Sequence, residues 1–306
     1  MKSATFLVFR VVLLTIAFFA AFVIAASLTG LTQSAPSAAA AQGQAQQAAD
    51  SLRPLLLYSL LVAAVFAWIL TRSTWRGAKL IAAIAFTLYG LQTVISQIET
   101  LAYLRHKIPM LLIGKLFLVG LVQAVLFAPA AVMIAGKLRG KSQPSESADF
   151  RSLVARFAVL GAVYVVLYYL FGHFVAWQNP AVRQYYSGST ELKGLFDQLR
   201  FTWSAAPWML PLQFGRGLLW AVFALPVLRM LSVSRAEAAA ISAALFGVWS
   251  FVLFVPNPFM PAAVARAHFW ETLWCDLLLG AIAAYVLTPR GLARLDPVIR
   301  LKPLAY

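Results

Sequence analysis

Five ionisable side chains stand within long apolar stretches of this sequence, where charge is rare and informative. A charged group inside hydrocarbon costs at least ~2.5–3.5 kcal/mol on insertion scales, so it either finds a partner of opposite charge or lines a polar cavity. Counted at about 1.5 Å per residue of helix, all of them lie toward the same side of the membrane. Together with a neighbouring glutamine they form the candidate polar cavity: Glu99, Lys115, Arg216, Glu271, Asp276 and Gln213.

Matching depths along the helices predicts how these charges pair. Arg216 is expected to face Asp276, and Lys115 is expected to face Glu99. In a cavity open to the outside, the two cations suit an anionic small molecule or a lipid headgroup, while the carboxylates balance them or carry protons. In a closed bundle the same groups form structural ion pairs.

The second candidate chemistry is metal binding. His268 and Glu271 are three residues apart and share one face of a helix, which is a spacing that metal sites in helical bundles use. With His173, and with Glu99 from another span, they offer ligand types that suit zinc or iron. The same residues also fit ordinary polar side chains at a membrane interface, and we predict no cofactor.

Several other chemistries lack their motifs. The sequence has no G-x-x-x-x-G-K-[ST] phosphate loop, no G-x-G-x-x-G turn and no H-E-x-x-H helix. The paired glutamate and histidine motifs of an intramembrane CAAX-type protease are absent as well. The single cysteine, Cys275, permits no intrachain disulfide, so thiol–disulfide exchange within the chain is excluded.

The composition places the chain in a lipid bilayer. Of 306 residues 62% are hydrophobic and 11% charged, and the mean hydropathy of +0.80 is far from that of a soluble domain. A net charge of +15 would suit nucleic acid in a soluble protein. Here the basic residues lie in short runs between apolar stretches, so we assign the charge to membrane topology and predict no nucleic-acid partner.

The predicted fold is an all-α, polytopic transmembrane bundle of about eight spanning helices. Roughly 20 mainly apolar residues cross about 30 Å of hydrocarbon. Segments of this length are 5–28, 54–72, 80–102, 109–136, 153–176, 207–229, 238–256 and 268–288.

Lysine and arginine are concentrated at the termini and in the loops after the second, fourth and sixth spans. The positive-inside rule therefore places both termini in the cytoplasm. An alternative is that residues 1–29 form a cleaved signal peptide, although the apolar run is longer than the usual signal core. The sequence does not distinguish a bacterial membrane from that of an organelle.

The spans divide into two tandem four-helix units in parallel orientation, 1–141 and 153–288, which a duplication would relate by an axis along the membrane normal. Any bundle of eight spans can also be halved in this way. The remaining predicted segments are a mobile outer loop 29–53 in the first unit, a cytoplasmic linker 142–152, an amphipathic outer segment 189–204 and a cytoplasmic tail 289–306.

Three functions fit these features. The first is a transporter or permease whose polar site lies in the outer half of the bundle. The second is a non-catalytic membrane subunit or assembly partner, which would bind another protein. The third is an enzyme that acts on lipid-linked substrates at the outer leaflet, with Glu99, Glu271 or a histidine as general base.

Overall fold

A computed structural model describes residues 2–31, 38–143 and 149–288 of the chain. It is 82% helical, without a strand in the described ranges. Eight of its helices are long and apolar enough to cross a membrane. The predicted fold class, an all-α multi-pass bundle, is thereby confirmed. The helices are α1 (Lys2–Leu28), α2 (Ala38–Arg72), α3 (Gly77–Leu88), α4 (Ile95–Tyr103), α5 (Met110–Ile134), α6 (Phe150–Phe174), α7 (Pro180–Ser187), α8 (Leu195–Ala205), α9 (Met209–Met230), α10 (Arg235–Gly247) and α11 (Ala262–Leu287).

Two of the spans are irregular helices. In the third span a π-helical segment, Tyr89–Val94, joins α3 to α4. In the seventh span α10 continues as a 3-10 helix, Val248–Phe254. The π-helical segment lies about midway along the third span, whereas the 3-10 segment ends the seventh span.

The helix of the second span begins earlier than predicted. α2 starts at Ala38, so most of the predicted outer loop 29–53 is helical. Alanine and glutamine are good helix formers, which explains why this stretch continues the span helix. Residues 32–37 of the predicted loop lie outside the described residues.

Two other predicted segments fall wholly or partly outside the described residues. The predicted linker 142–152 is described except for residues 144–148, and α6 begins within it at Phe150. The predicted tail 289–306 lies beyond the described ranges.

The two predicted units pack their helices in the same pairs. In the first unit the first span packs on the second and fourth, and the third span packs on the fourth. In the second unit the fifth span packs on the sixth and eighth, and the seventh packs on the eighth. Between the units, the second span contacts the seventh and the third contacts the sixth. Each of these contacts therefore has a counterpart when the first four spans are exchanged with the last four.

Backbone hydrogen bonds join the units where the second and sixth spans end. Ser73 and Leu231 form an isolated antiparallel bridge. The amide after Ser73 donates to the carbonyl before Leu231 at 2.7 Å, and the amide after Leu231 donates to the carbonyl before Ser73 at 3.3 Å. Because these residues follow corresponding spans, exchanging the units maps the bridge onto itself.

Polar and apolar contacts occupy different sets of spans. The first, second, fourth and seventh spans meet in an aromatic cluster with ring centroids 5.3–6.5 Å apart. Its members are Phe18, Tyr58, Phe66, Phe127 and Trp249. The third, fifth, sixth and eighth spans carry instead most of the ionisable residues that the sequence singles out.

The short helix α7 covers one end of these polar spans. Asn179 caps it by accepting a hydrogen bond from the Ala181 amide at 2.9 Å, and Gly188 ends it with φ +70°. Arg183 is buried and donates to the carbonyl oxygen of Thr190 at 2.7 Å and to that of Trp177. This arginine therefore holds the turns around α7 together.

Helix α8 packs on α9 and has two different faces. Leu195 and Leu199 line a pocket, whereas Phe196 and Trp203 are 81% and 64% exposed. Within the predicted amphipathic segment 189–204, the helix starts only at Leu195, because Gly188 and the loop after it turn the chain.

Candidate functional site

A pocket of about 600 Å³ opens at the end of the bundle covered by α7 and α8, which is the end predicted to be outer. Its wall is built from the third, fifth, sixth and eighth spans together with both short helices. Aromatic side chains supply much of the lining, and carboxylates and histidines stand among them. The lining includes Glu99, Tyr103, Tyr168, His173, Tyr186, His268 and Glu271.

At the floor of the pocket, the lining residue Glu99 belongs to an ion pair within the spans. The Nη2 atom of Arg216 lies 2.9 Å from Oε2 of Glu99. Arg216 is 5% exposed and Glu99 is 43% exposed, so the arginine is enclosed and the carboxylate faces the pocket. Water can screen the carboxylate but not the guanidinium, whose charge is therefore balanced mainly by the pair.

Hydrogen bonds extend this pair across three spans. Arg216 Nη1 donates to Gln213 Oε1 at 2.8 Å, and Gln213 Nε2 donates to the Tyr103 hydroxyl at 2.7 Å. The Tyr103 hydroxyl lies 3.2 Å from that of Tyr168. The Arg216 guanidinium also lies over the Tyr164 ring, 5.5 Å from its centre. These contacts hold the arginine in one orientation at the pocket floor.

Close packing of the third span on the sixth brings Glu99 to Arg216. Thr87 donates from its hydroxyl to the Phe223 carbonyl at 2.8 Å. A Cβ atom on Gly90, in the π-helical segment, would lie only 2.1 Å from the Phe223 ring, so the spans meet where that glycine has no side chain. A π-helical turn also rotates the residues that follow it relative to a regular helix.

The predicted pairing of Lys115 with Glu99 is wrong. Lys115 donates from Nζ to the carbonyl oxygen of Gly30 at 2.8 Å, just beyond the end of α1. The last carbonyls of a helix have no partner within it, and they are natural acceptors for a lysine. Lys115 therefore closes the first span and does not line the pocket.

The predicted pairing of Arg216 with Asp276 is also wrong. Arg216 pairs with Glu99, while Asp276 is buried and forms no ion pair or hydrogen bond with the part of the chain that the structure describes. Arg216 is nevertheless the cation that attracts Asp276 electrostatically. Depth along a helix did not predict the ion-pair partner of Arg216, because the packing of the third span on the sixth places Glu99 beside it.

A histidine and a carboxylate form a second pair in the pocket wall. Nδ1 of His268 lies 2.6 Å from Oε2 of Glu271, and the edge of the Tyr186 ring packs on the imidazole with centroids 5.5 Å apart. The other ring nitrogen, Nε2, is buried and has no hydrogen-bond partner among the described residues. A carboxylate on Nδ1 favours the tautomer in which Nε2 accepts a proton.

The candidate metal ligands meet only in part. His173, His268 and Glu271 all line the pocket, and His268 and Glu271 are paired with each other. Within residues 2–31, 38–143 and 149–288, however, no group of three or more His, Cys, Asp or Glu side chains is close enough to hold a metal ion.

The mouth of the pocket carries basic side chains and tyrosines from the loops. Arg105, Lys107 and Lys193 line it. Lys107 donates to the Tyr185 carbonyl at 3.0 Å and lies over the Tyr185 ring. Burial raises the pKa of the Tyr186 hydroxyl, and the nearby carboxylate of Glu99 raises it further, so this phenol stays neutral and can donate a hydrogen bond.

Sequence reasoning did not single out the tyrosines. Tyr103, Tyr168 and Tyr186 supply hydroxyls and ring faces to the pocket, and Tyr164 packs under Arg216. The available signal was the pair of Tyr-Tyr dipeptides near the end of the fifth span and in the loop after it. Such residues are also typical of the aromatic belt at a membrane interface, so their type alone does not reveal a pocket.

No protein-family model matches this chain, and neither the curated proteins nor the solved structures include a significantly similar one.

Proposed function

We propose that this multi-pass membrane protein is a permease that binds a small polar solute in the outer pocket. The observation that carries the proposal is the floor, where the pocket ends at the Arg216–Glu99 pair within the spans. Charges at such depth are expensive and commonly mark the path of a solute or ion. An ion pair that closes a pocket is also an element that a conformational change can open.

The lining suits a solute that has both an apolar and a charged part. Tyrosine rings provide apolar contact, and a few polar groups fix the orientation, as in most small-molecule sites. Arg105, Lys107 and Lys193 stand at the mouth and would meet an anionic group, such as a carboxylate, a phosphate or a lipid headgroup. Glu99 and Glu271 lie deeper and would meet hydroxyl or amino groups.

The arrangement of the two units supports a transport role. Many transporters are built from repeats, including parallel repeats related by an axis along the membrane normal, and bind their substrate where the repeats meet. Here corresponding spans pack in corresponding pairs, and the Ser73–Leu231 bridge maps onto itself when the units are exchanged. The pocket combines the third span of one unit with three spans of the other.

Accumulation of solute in proteoliposomes tests the proposal. Vesicles containing the full chain are incubated with a defined mixture of isotope-labelled amino acids, sugars, organic acids and organic phosphates, and their contents are analysed by mass spectrometry. We expect one solute class to accumulate and Glu271→Gln to reduce its uptake roughly tenfold or more, since a hydrogen bond to a charged group contributes ~1.5–3 kcal/mol. Leu278→Ala, a change at an exposed position of the same helix, is the matched control and should transport normally.

Two results would count against a permease. Vesicles that accumulate no solute from the mixture would reject transport of these classes. Solute that binds the protein in nanodiscs but never enters vesicles would assign the pocket to binding or catalysis.

The His268–Glu271 pair favours a second candidate function, hydrolysis of a lipid-linked ester at the outer leaflet. In this reaction Nε2 of His268 takes a proton from water, the hydroxide attacks the ester carbonyl, and the proton passes to the leaving alcohol. Glu271 holds the imidazole in the required tautomer. The apolar face of α8, with Phe196 and Trp203 exposed, would let a lipid chain lie beside the pocket.

The two candidates respond differently to one substitution. His268→Asn keeps a hydrogen-bonding side chain but removes the proton acceptor. A hydrolase would retain substrate binding and lose about 10²–10⁴-fold in rate, as removal of a general base does. A permease would continue to accumulate its solute without altering it, which mass spectrometry of the recovered solute would show.

A further inference from the structure

Asp276 is a buried carboxylate within the eighth span. It lies five residues beyond Glu271 on α11, about 7.5 Å deeper at 1.5 Å per residue. Its residue is 8% exposed and is not part of the pocket lining. No donor among the described residues reaches its oxygens. A buried carboxylate without a hydrogen bond is costly as an anion, and the neutral acid is the form that such a position tolerates.

The groups around Asp276 make its charge depend on Arg216. Arg216 on α9 attracts it, whereas Glu99 on α4 and Glu271 on its own helix repel it. The uncharged neighbours are the Tyr164 phenol of α6 and the Cys275 thiol. From α7, α10 and the two 3-10 segments, which also pack on α11, no charged group of the described residues acts on it. Asp276 can therefore ionise at low cost only if the guanidinium turns toward it.

Arg216 is thus paired with one carboxylate and attracts a second one, and the two carboxylates face different regions. Glu99 is exposed to the pocket, and Asp276 is buried beyond it. The guanidinium keeps one atom, Nε, without a partner, so its hydrogen bonds are not saturated in the observed state. One cation and two competing acids form a group in which only one of the acids is paired.

We propose that Glu99 and Asp276 share one proton and that Arg216 pairs with whichever of them is ionised. In the observed state Asp276 carries the proton and Glu99 is paired. In the alternative state the O–H bond at Asp276 has broken, an O–H bond has formed at Glu99, and Arg216 has moved to Asp276. The net charge of the three groups is the same in both states, so the exchange adds no charge to the membrane interior.

This inference rests on the proposed permease and names its coupling ion. A proton taken up from the pocket by Glu99 would release Arg216 toward Asp276, and the proton of Asp276 would leave to water. Protonation of Glu99 therefore breaks the ion pair that closes the pocket floor, so the floor opens when the proton is transferred. The solute and the proton would move in the same direction.

Infrared spectroscopy of the full chain in lipid nanodiscs tests the shared proton without any solute. A protonated carboxylic acid gives a carbonyl stretching band that a carboxylate lacks. We expect this band in the wild type at neutral pH and its loss in Asp276→Asn. We also expect its loss in Glu99→Gln, because Arg216 without Glu99 must pair with Asp276 and ionise it. Glu237→Gln is the control and should keep the band, since Glu237 is already paired with Arg72 at the opposite end of the bundle.

Two results would overturn the proposal. If Asp276→Asn keeps the full band, Asp276 does not carry the proton. If Glu99→Gln keeps it, Arg216 does not change partner. Glu99→Asp restores a carboxylate to the pair and should restore the band. Misfolding of Glu99→Gln is tested separately, by asking whether its size-exclusion profile matches that of the wild type.

Failure of the shared-proton proposal can be distinguished from failure of the permease proposal. If the carbonyl band is lost in Asp276→Asn and Glu99→Gln but vesicles accumulate no solute under an imposed pH gradient, the proton site is supported and transport is not. If solute accumulates but the bands do not respond to Asp276→Asn, transport stands and the proton site fails.

Discussion

The guanidinium of Arg216 lies 2.9 Å from the carboxylate of Glu99, which belongs to the other predicted unit of the bundle. This contact joins the third span to the sixth at the floor of the pocket. Asp276, on the eighth span, is buried and has no ion pair with any residue that the structure describes. The arrangement of the three groups is the basis of both proposals.

Replacing Arg216 with glutamine should destabilise the protein and alter its pocket. Removing one partner of a buried ion pair typically costs about 3–5 kcal/mol. We expect the free energy of unfolding to fall by an amount near the low end of this range, because Glu99 is 43% exposed and water screens it. Unfolding of the purified protein in detergent would measure the change.

Arg229→Gln provides the matched control on the same helix. Arg229 forms no ion pair in the described part of the chain, so its replacement should change stability by less than about 0.5 kcal/mol. Equal effects of the two substitutions would contradict the role of the Arg216 pair.

Replacing Lys115 with methionine should loosen the end of the first span and leave the pocket intact. Lys115 donates to the Gly30 carbonyl, and a hydrogen bond from a charged group contributes about 1.5–3 kcal/mol. We expect faster amide exchange in residues 28–31, measured by hydrogen–deuterium exchange. Solute uptake should be unchanged. A loss of uptake with normal exchange at these residues would show that Lys115 serves the pocket after all.

Replacing Arg183 with lysine should release the turns that cover the pocket. The arginine donates to the carbonyls of Thr190 and Trp177 at once, and a lysine ammonium lacks the planar fork that reaches both. We expect increased amide exchange in residues 188–194. Arg200→Lys, at an exposed position of α8, should have no such effect. Unchanged exchange in Arg183→Lys would mean that the covering segment is held by other contacts.

Replacing Gly280 with alanine should force α10 and α11 apart. A Cβ atom at this position would lie 2.4 Å from the Ser242 carbonyl oxygen and 2.8 Å from the Ala243 Cα atom. Backbone atoms cannot move aside as a flexible side chain does, so we expect a loss of at least about 1–3 kcal/mol in unfolding free energy.

Gly114→Ala is the control for this close approach. Nothing lies within 4 Å of a Cβ atom there. Alanine favours a helix over glycine by about 0.5–1 kcal/mol, so this variant should be as stable as the wild type or slightly more stable. A neutral effect of Gly280→Ala would contradict the close contact of the two helices.

The sequence by itself determined the solvent and the number of spans, and it singled out the charged residues of the candidate site. A bilayer requires runs of about 20 apolar residues, so the spans can be read directly from hydropathy. Charges within such runs are rare enough that Glu99, Arg216, Glu271 and Asp276 stood out without a structure. The His268–Glu271 contact was also within reach, because residues three apart on a helix share a face.

Only the tertiary structure decided which groups meet across helices. Depth along a span limits each charge to a layer of the membrane but leaves its direction around the helix axis open. That direction depends on how helices pack, here on the π-helical segment of the third span and on the contact of Gly90 with Phe223. The Arg216–Glu99 pair follows from this packing. The contact of Lys115 with the end of the first span follows from the packing of the fourth span on the first.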